Sequence, residues 1–160
     1  MFNNMFKISF SVFLFIILFS SGFSYSQLTK ATVGVDGFTC SLCAKGVEGQ
    51  FKALDYVKSV KADLKKTEFI ISFKNKPDVD LSEIVKAVTD GGFTLRDLTF
   101  EAKGKLKSNG SSGFILSAVN IPDLKLKNID NSFEDGDEVS LKGSLNLKDF
   151  SVSVTSIKKL

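Results

Sequence analysis

Residues 28–43 have the sequence Leu28-Thr-Lys-Ala-Thr-Val-Gly-Val-Asp-Gly-Phe-Thr-Cys-Ser-Leu-Cys43. Apolar and polar residues alternate over Thr29–Val35, which is the pattern of a β-strand with one buried face. Asp36-Gly37 is a turn signal, and apolar residues then recur at helical spacing from Leu42 to Leu54. The stretch therefore predicts a strand and a helix joined by a loop that carries two cysteines.

Strand and helix patterns continue to about residue 100. Two strands are predicted over Val57–Leu64 and Thr67–Phe73. A helix follows, with an apolar stripe over Leu81–Val88 that ends at Gly91-Gly92, and Thr94–Phe100 is predicted as a last strand. The resulting order, β-α-β-β-α-β, is that of the split, or ferredoxin-like, unit. We therefore predict one ferredoxin-like domain over residues 27–98.

Residues 99–160 have a different pattern, because helical periodicity is absent and short alternating runs are separated by turn signals. Five strands in about 60 residues predict a small all-β domain, either a barrel or a sandwich. The closing runs around Gly136–Gly143 and Phe150–Ile157 resemble those of an OB-type barrel. A domain of this size buries little surface, and we expect its stability to depend on contacts with the neighbouring domain. The predicted strands are Ala102–Leu106, Phe114–Val119, Leu124–Leu126, Glu138–Leu145 and Phe150–Ile157. The predicted fold class is α+β, with two domains.

The first 26 residues predict a secretory signal peptide. Lys7 precedes an apolar run that ends at Phe19, and small residues follow in a small-x-small pattern that favours cleavage after Ser26. Cleavage after Gly22 is the second choice. The alternative, an uncleaved anchor, is disfavoured because a spanning helix needs about 20 apolar residues. We expect an exported protein, periplasmic or secreted, with no stable membrane insertion after cleavage.

Composition excludes several classes of function. The chain has 160 residues, 21 Lys and Arg against 18 Asp and Glu, and no His. Without His, nucleophiles of the Ser-His or Cys-His type are not possible, and the commonest zinc ligand is missing. A net charge of +3 that is spread along the chain provides no basic patch for nucleic acid. We predict that the protein is not an enzyme and has no nucleic-acid partner.

Cys40 and Cys43 are the strongest functional signal in the chain. They lie where the predicted loop meets the predicted helix, and a helix N-terminus favours thiolate over thiol. Their spacing allows both sulfurs to converge on one ion. Two thiolates without a third ligand suit a soft cation that accepts two-coordination, Cu(I) first and Hg(II) or Ag(I) next. Zinc is disfavoured because it normally takes four ligands.

The run Gly37-Phe38-Thr39-Cys40-Ser41-Leu42-Cys43 resembles the Gly-Met-Thr-Cys-x-x-Cys signature of heavy-metal-associated domains. These are the ferredoxin-like modules of copper chaperones and metal-pumping P-type ATPases. The resemblance extends from about Leu28 to Leu98 and includes Thr67–Phe73 and Val85–Phe93. With its predicted export, the chain is organised like the family's periplasmic mercury-scavenging members, with an extra C-terminal β domain over residues 99–160.

The resemblance implies a role for five residues. Cys40 and Cys43 would be the metal ligands, and Phe93 would occupy the loop that faces the metal. Thr39 replaces the acid of zinc-type members, which points to monovalent soft metals. Phe38 replaces the usual Met, whose side chain is buried under the metal loop in the family. We therefore expect Phe38, Thr39 and Phe93 to support the loop without binding the ion.

The predicted function is capture of a soft metal ion, most favourably Cu(I), and its transfer through the cysteine pair. The predicted partner is a metal-transporting or metal-accepting protein that docks at the metal loop. One alternative is a thiol-disulfide redox protein or sensor that uses the same pair, and another is a resting disulfide or a pair of inert thiols. A third is buffering or sensing of the metal without delivery. The β domain is predicted to dock or position the metal-binding domain.

Overall fold

A computed structural model describes residues 26–37, 40–75, 78–110, 113–130 and 132–160. Within these ranges the chain forms eight strands and two helices. In chain order they are β1 (Leu28–Asp36), α1 (Ser41–Lys52), β2 (Val57–Asp63), β3 (Glu68–Phe73), α2 (Leu81–Asp90), β4 (Thr94–Ser108), β5 (Phe114–Ala118), β6 (Ile121–Lys127), β7 (Glu138–Leu145) and β8 (Val152–Lys159). Neither described helix has the length and apolarity needed to cross a membrane.

The first half of the chain forms the predicted ferredoxin-like unit. Its strands lie in the order β2-β3-β1-β4, and all three neighbouring pairs are antiparallel. The two helices contact each other, and they pack against β2 and β4 through side chains that include Val47, Phe51 and Ile84. Asp80 caps α2, because its carboxylate accepts a hydrogen bond from the Ser82 amide at 2.8 Å. The β-α-β-β-α-β prediction is confirmed.

Strand β4 belongs to both halves of the protein, which corrects one prediction. The sequence predicted two strands, Thr94–Phe100 and Ala102–Leu106, whereas the structure has one strand of 15 residues. Alternate residues stay buried from Leu98 to Leu106, so nothing in the pattern ends the strand between them. The predicted domain boundary between residues 98 and 99 therefore falls inside a continuous strand.

The C-terminal half is a closed five-stranded barrel. Its strands pair in the order β4-β5-β6-β8-β7, and β7 returns to pair with β4. The β6–β8 pair is parallel, and the other pairs are antiparallel. At Gly104 a Cβ atom would lie 2.7 Å from the Leu116 side chain, so a glycine is needed where β4 and β5 approach closely.

Asn120 connects the barrel to the first strand of the ferredoxin-like unit. Its side chain is 1% exposed. The amide oxygen accepts a hydrogen bond from the Leu28 N–H at 2.7 Å, and the amide nitrogen donates to the Leu28 carbonyl at 3.3 Å. Its backbone carbonyl accepts from the Val79 N–H at 2.7 Å. The two halves thus share hydrogen bonds as well as one continuous buried core.

Candidate metal centre

The two cysteines lie where β1 passes into α1. Cys40 is the N-cap of the helix, in an extended conformation, and Cys43 is in its first turn. The Cys43 N–H donates a hydrogen bond to the Cys40 sulfur at 3.1 Å. The Cα atoms are 5.4 Å apart, and the sulfurs are joined in a disulfide. The loop therefore brings both sulfurs to one point at the N-terminus of a helix.

The two sulfurs have different surroundings. Cys40 is exposed, whereas Cys43 is partly buried and packs against the hydrophobic core. Between them in the sequence, the Leu42 side chain is 76% exposed. Cys40 and Leu42 are thus exposed to solvent, whereas Cys43 is partly covered.

Phe93 lies beside the same loop. It follows α2, is partly buried, and packs against the core. A Cβ atom at Gly37 would lie 3.6 Å from its ring, and Gly37 has a φ of +102°, which favours glycine. The structure therefore places Phe93 next to the loop before the cysteines. Phe38 and Thr39, the other two predicted supporting residues, lie outside the described residues.

Arg96 holds the end of β1, a role that the sequence analysis missed. Its guanidinium donates to the Asp36 carboxylate at 3.1 Å, to the Thr67 hydroxyl at 2.7 Å and to the Lys66 carbonyl at 3.2 Å. It also donates to the Asp97 carboxylate at 2.9 Å, and hydrogen bonds with Asp97 and Asp36 raise the pKa of Arg96. One feature of the sequence could have indicated this role: Arg96 is the one arginine in the chain. Arginine offers several hydrogen-bond donors in a fixed geometry.

No third metal ligand accompanies the sulfurs in the described part of the chain. No group of three or more His, Cys, Asp or Glu side chains is arranged there to hold an ion. The carboxylate of Asp36, which comes shortly before the cysteines, is paired with Arg96. The donor set of the described site is therefore two sulfurs.

The chemistry available to the pair depends on its redox state. As a disulfide it has no thiolate to offer a metal, because the thiolate is the ligand form of cysteine. Reduction yields two sulfurs at a helix N-terminus, where the unpaired N–H groups favour negative charge. Through the exposed Cys40, the same pair is also able to exchange with another thiol.

Comparison with known proteins shows what part of the chain is similar to. Residues 32–94 match the model of the heavy-metal-associated domain. No curated protein matches the chain. Similar solved structures include a CopZ metallochaperone (22% identity, 42% of this chain and 98% of that chain, TM-score 0.39). Another is the yeast copper transporter domain CCC2A in apo and Cu(I)-loaded states (25% identity, 42% of this chain and 90% of that chain, TM-score 0.39). A third is the apo N-terminal domain of ZntA (24% identity, 43% of this chain and 90% of that chain, TM-score 0.38). Residues 32–94 of this chain are thus similar to the heavy-metal-associated domain.

Proposed function

We propose that the reduced protein binds one Cu(I) ion between Cys40 and Cys43 and passes it to an acceptor protein. The observation that carries the proposal is the convergence of two sulfurs without a third ligand in the described chain. The heavy-metal-associated domain supports metal binding and transfer in general. The preference for Cu(I) rests on the donor set, because Hg(II) and Ag(I) are the other soft ions that accept two sulfurs.

Transfer follows from the exposure of the site. A thiolate or thioether of the acceptor binds the ion and displaces one cysteine while the other still holds it. Cys40 is the more exposed sulfur and lies at the edge of the loop, so it is the ligand that an acceptor reaches first. No covalent bond of a substrate is made or broken, and we therefore propose a carrier and not an enzyme.

A redox function is the second candidate, and the disulfide between Cys40 and Cys43 is the observation that favours it. A redox protein cycles between disulfide and dithiol with partner thiols, whereas a metal carrier needs the dithiol for its cargo. The reduction potential of the pair, measured with and without Cu(I), separates these functions. A carrier is expected to become much harder to oxidise when the ion is bound.

We propose that the barrel is OB-like and positions the metal-binding unit. The closed order β4-β5-β6-β8-β7 and its parallel β6–β8 pair support an OB-type Greek key. Pairing of β7 with β4 begins at Thr99, five residues after β4 starts at Thr94. At about 3.4 Å per residue this places the barrel roughly 17 Å along the strand from the end that carries the metal loop. The loop is thus left open to a partner.

Metal selectivity tests the proposed donor set. We expect the reduced protein to retain Cu(I) against a chromogenic Cu(I) chelator and to lose Zn(II) to a weak zinc chelator, because two sulfurs leave zinc short of its usual four ligands. Thr39→Asp supplies an oxygen ligand next to the pair and is expected to raise the Zn(II) affinity by about tenfold or more. A wild-type chain that holds Zn(II) as tightly as Cu(I) would contradict the proposal.

We also propose export, with cleavage upstream of Ser26. The Val119 N–H donates to the Ser26 carbonyl at 3.0 Å, and the Ser26 hydroxyl donates to the Ser117 and Lys103 carbonyls at 3.2 and 3.3 Å. Cleavage after Ser26 would remove these bonds, whereas cleavage after Gly22, the other predicted position, would keep them. N-terminal sequencing of exported protein is expected to begin at Phe23. A sequence that begins at Gln27, or an uncleaved chain, would refute this choice.

A further inference from the structure

We propose that the exposed face of the Cys40–Cys43 disulfide, together with Leu42, is the docking surface for a protein dithiol reductase. The reductase would return the pair to the state that binds metal. This inference rests on the proposed function, because a metal carrier needs its cysteines kept reduced. Its partner is defined by chemistry: a protein with two thiols close together and an apolar surface around them.

The surroundings of the two sulfurs decide which of them the partner attacks. A thiolate attacks a disulfide sulfur along the S–S axis, from the side opposite the leaving sulfur. Cys40 is exposed at the N-cap, whereas Cys43 lies partly buried in the first helical turn and packs against the core. An incoming thiolate reaches the exposed Cys40 more easily than the partly buried Cys43. The Cys40 sulfur is therefore the one that the partner thiolate attacks first.

Leu42 supplies the contact that distinguishes a protein partner from a small thiol. At 76% it is the most exposed of the large apolar side chains in the described chain. It lies between the two cysteines in sequence, in the first turn of α1. Burial of such a side chain stabilises a complex, whereas a small thiol covers little of it.

The exchange is balanced with the partner as the reductant. One partner thiolate bonds to the Cys40 sulfur, the Cys40–Cys43 bond breaks, and the electron pair leaves on the Cys43 sulfur, which takes up a proton. The second partner thiolate then attacks the partner sulfur of this mixed disulfide, and Cys40 leaves with the electron pair. Two electrons pass to the cysteine pair, and the partner is left as a disulfide. The two partner thiols lose their protons to solvent when they ionise, and the Cys40 and Cys43 thiolates take up protons from solvent.

Trapping the mixed disulfide tests which of the two sulfurs is attacked first. The probe is a thioredoxin whose second active-site cysteine is changed to Ser, incubated with the oxidised full chain, followed by alkylation of free thiols, digestion and tandem mass spectrometry. We expect adducts at Cys40 to exceed adducts at Cys43 by about tenfold, with the alkyl group on Cys43. Equal adducts, a preference for Cys43, or no adduct would overturn the proposal.

The Leu42→Ser variant tests the docking surface. It is expected to lower the rate of reduction by intact thioredoxin by about tenfold and to leave the rate with dithiothreitol unchanged. Val119→Ser is the matched control, because Val119 is 65% exposed on the turn between β5 and β6, in the barrel. Equal rates of reduction by thioredoxin for Leu42→Ser and the wild type would overturn the assignment of Leu42 to the docking surface.

Failure of this inference is distinguishable from failure of the proposed function. Cu(I) binding is measured on chain reduced chemically, without thioredoxin. If that chain binds Cu(I) and forms no adduct at Cys40, the docking surface is wrong and the carrier function stands. If the adduct forms and the reduced chain binds no Cu(I), the docking surface stands and the pair is a redox site.

Discussion

Replacing Asn120 with Ala is expected to lower the free energy of unfolding by about 3 kcal/mol. Asn120 is 1% exposed, and its amide pairs with both the N–H and the carbonyl of Leu28, which is itself 1% exposed. The variant removes both of these hydrogen bonds from buried backbone groups, and a buried group left unsatisfied costs about 1–3 kcal/mol. Urea unfolding followed by circular dichroism measures the change.

Asn146→Ala is the matched control for this prediction. Asn146 also accepts a hydrogen bond from a backbone N–H, that of Lys148 at 2.9 Å, but at an exposed turn between β7 and β8. Its loss is expected to cost less than about 1 kcal/mol, because water replaces the bond. A cost for Asn120→Ala as small as that of Asn146→Ala would show that the link between the barrel and β1 contributes little.

The Asn120→Ala variant also tests whether the two halves of the protein unfold together. Asn120 lies in the turn between β5 and β6, whereas its partners Leu28 and Val79 belong to the ferredoxin-like unit. Hydrogen exchange of β3 and β7 amides is therefore expected to accelerate in parallel in Asn120→Ala. Acceleration confined to the barrel strand would contradict a shared cooperative unit.

The ferredoxin-like half was predictable because its signals are local. Alternation in β1, the apolar stripe of α2 and the glycines that follow α2 each specify an element within a few residues. The predicted order of six elements and the structure agree for that reason. Apart from the end of β4, boundaries differ by one or two residues, as at Thr67, which was predicted in a strand that begins at Glu68.

The join between the halves was not predictable from the same signals. Alternation shows that a segment is a strand, but it does not show how many neighbouring strands it pairs with. The pattern was therefore interpreted as two strands, Thr94–Phe100 and Ala102–Leu106. In the structure β1 pairs with β4 along one edge, and β7 pairs with residues Thr99–Lys105 along the other. That arrangement depends on contacts between residues far apart in sequence.

The candidate site was predicted in part. Local spacing indicated that the sulfurs of Cys40 and Cys43 meet, and the structure brings them together in a disulfide. The network around Arg96 was missed because it joins the end of β1, the turn before β3 and the start of β4, which only the folded chain brings together. The roles of Phe38 and Thr39 stay predictions.

Loss of either cysteine is expected to have the largest effect on metal binding. The described site has no third ligand, so Cys40→Ser or Cys43→Ser leaves one sulfur for an ion that needs two. We expect the Cu(I) affinity to fall by more than about a hundredfold, which exceeds the 10–100-fold typical for the loss of an outer-shell group. Ser41→Ala, a change between the two cysteines that leaves both sulfurs, is expected to bind as the wild type does.

The most direct test of the proposed metal site is an anaerobic Cu(I) titration of the reduced chain, without residues 1–22, against a chromogenic Cu(I) chelator. We expect the wild type and Ser41→Ala each to retain one Cu(I) per chain, and each cysteine variant to yield its Cu(I) to the chelator. A wild-type chain that loses Cu(I) as readily as the Cys40→Ser/Cys43→Ser double variant would contradict the assignment of this pair as a metal site.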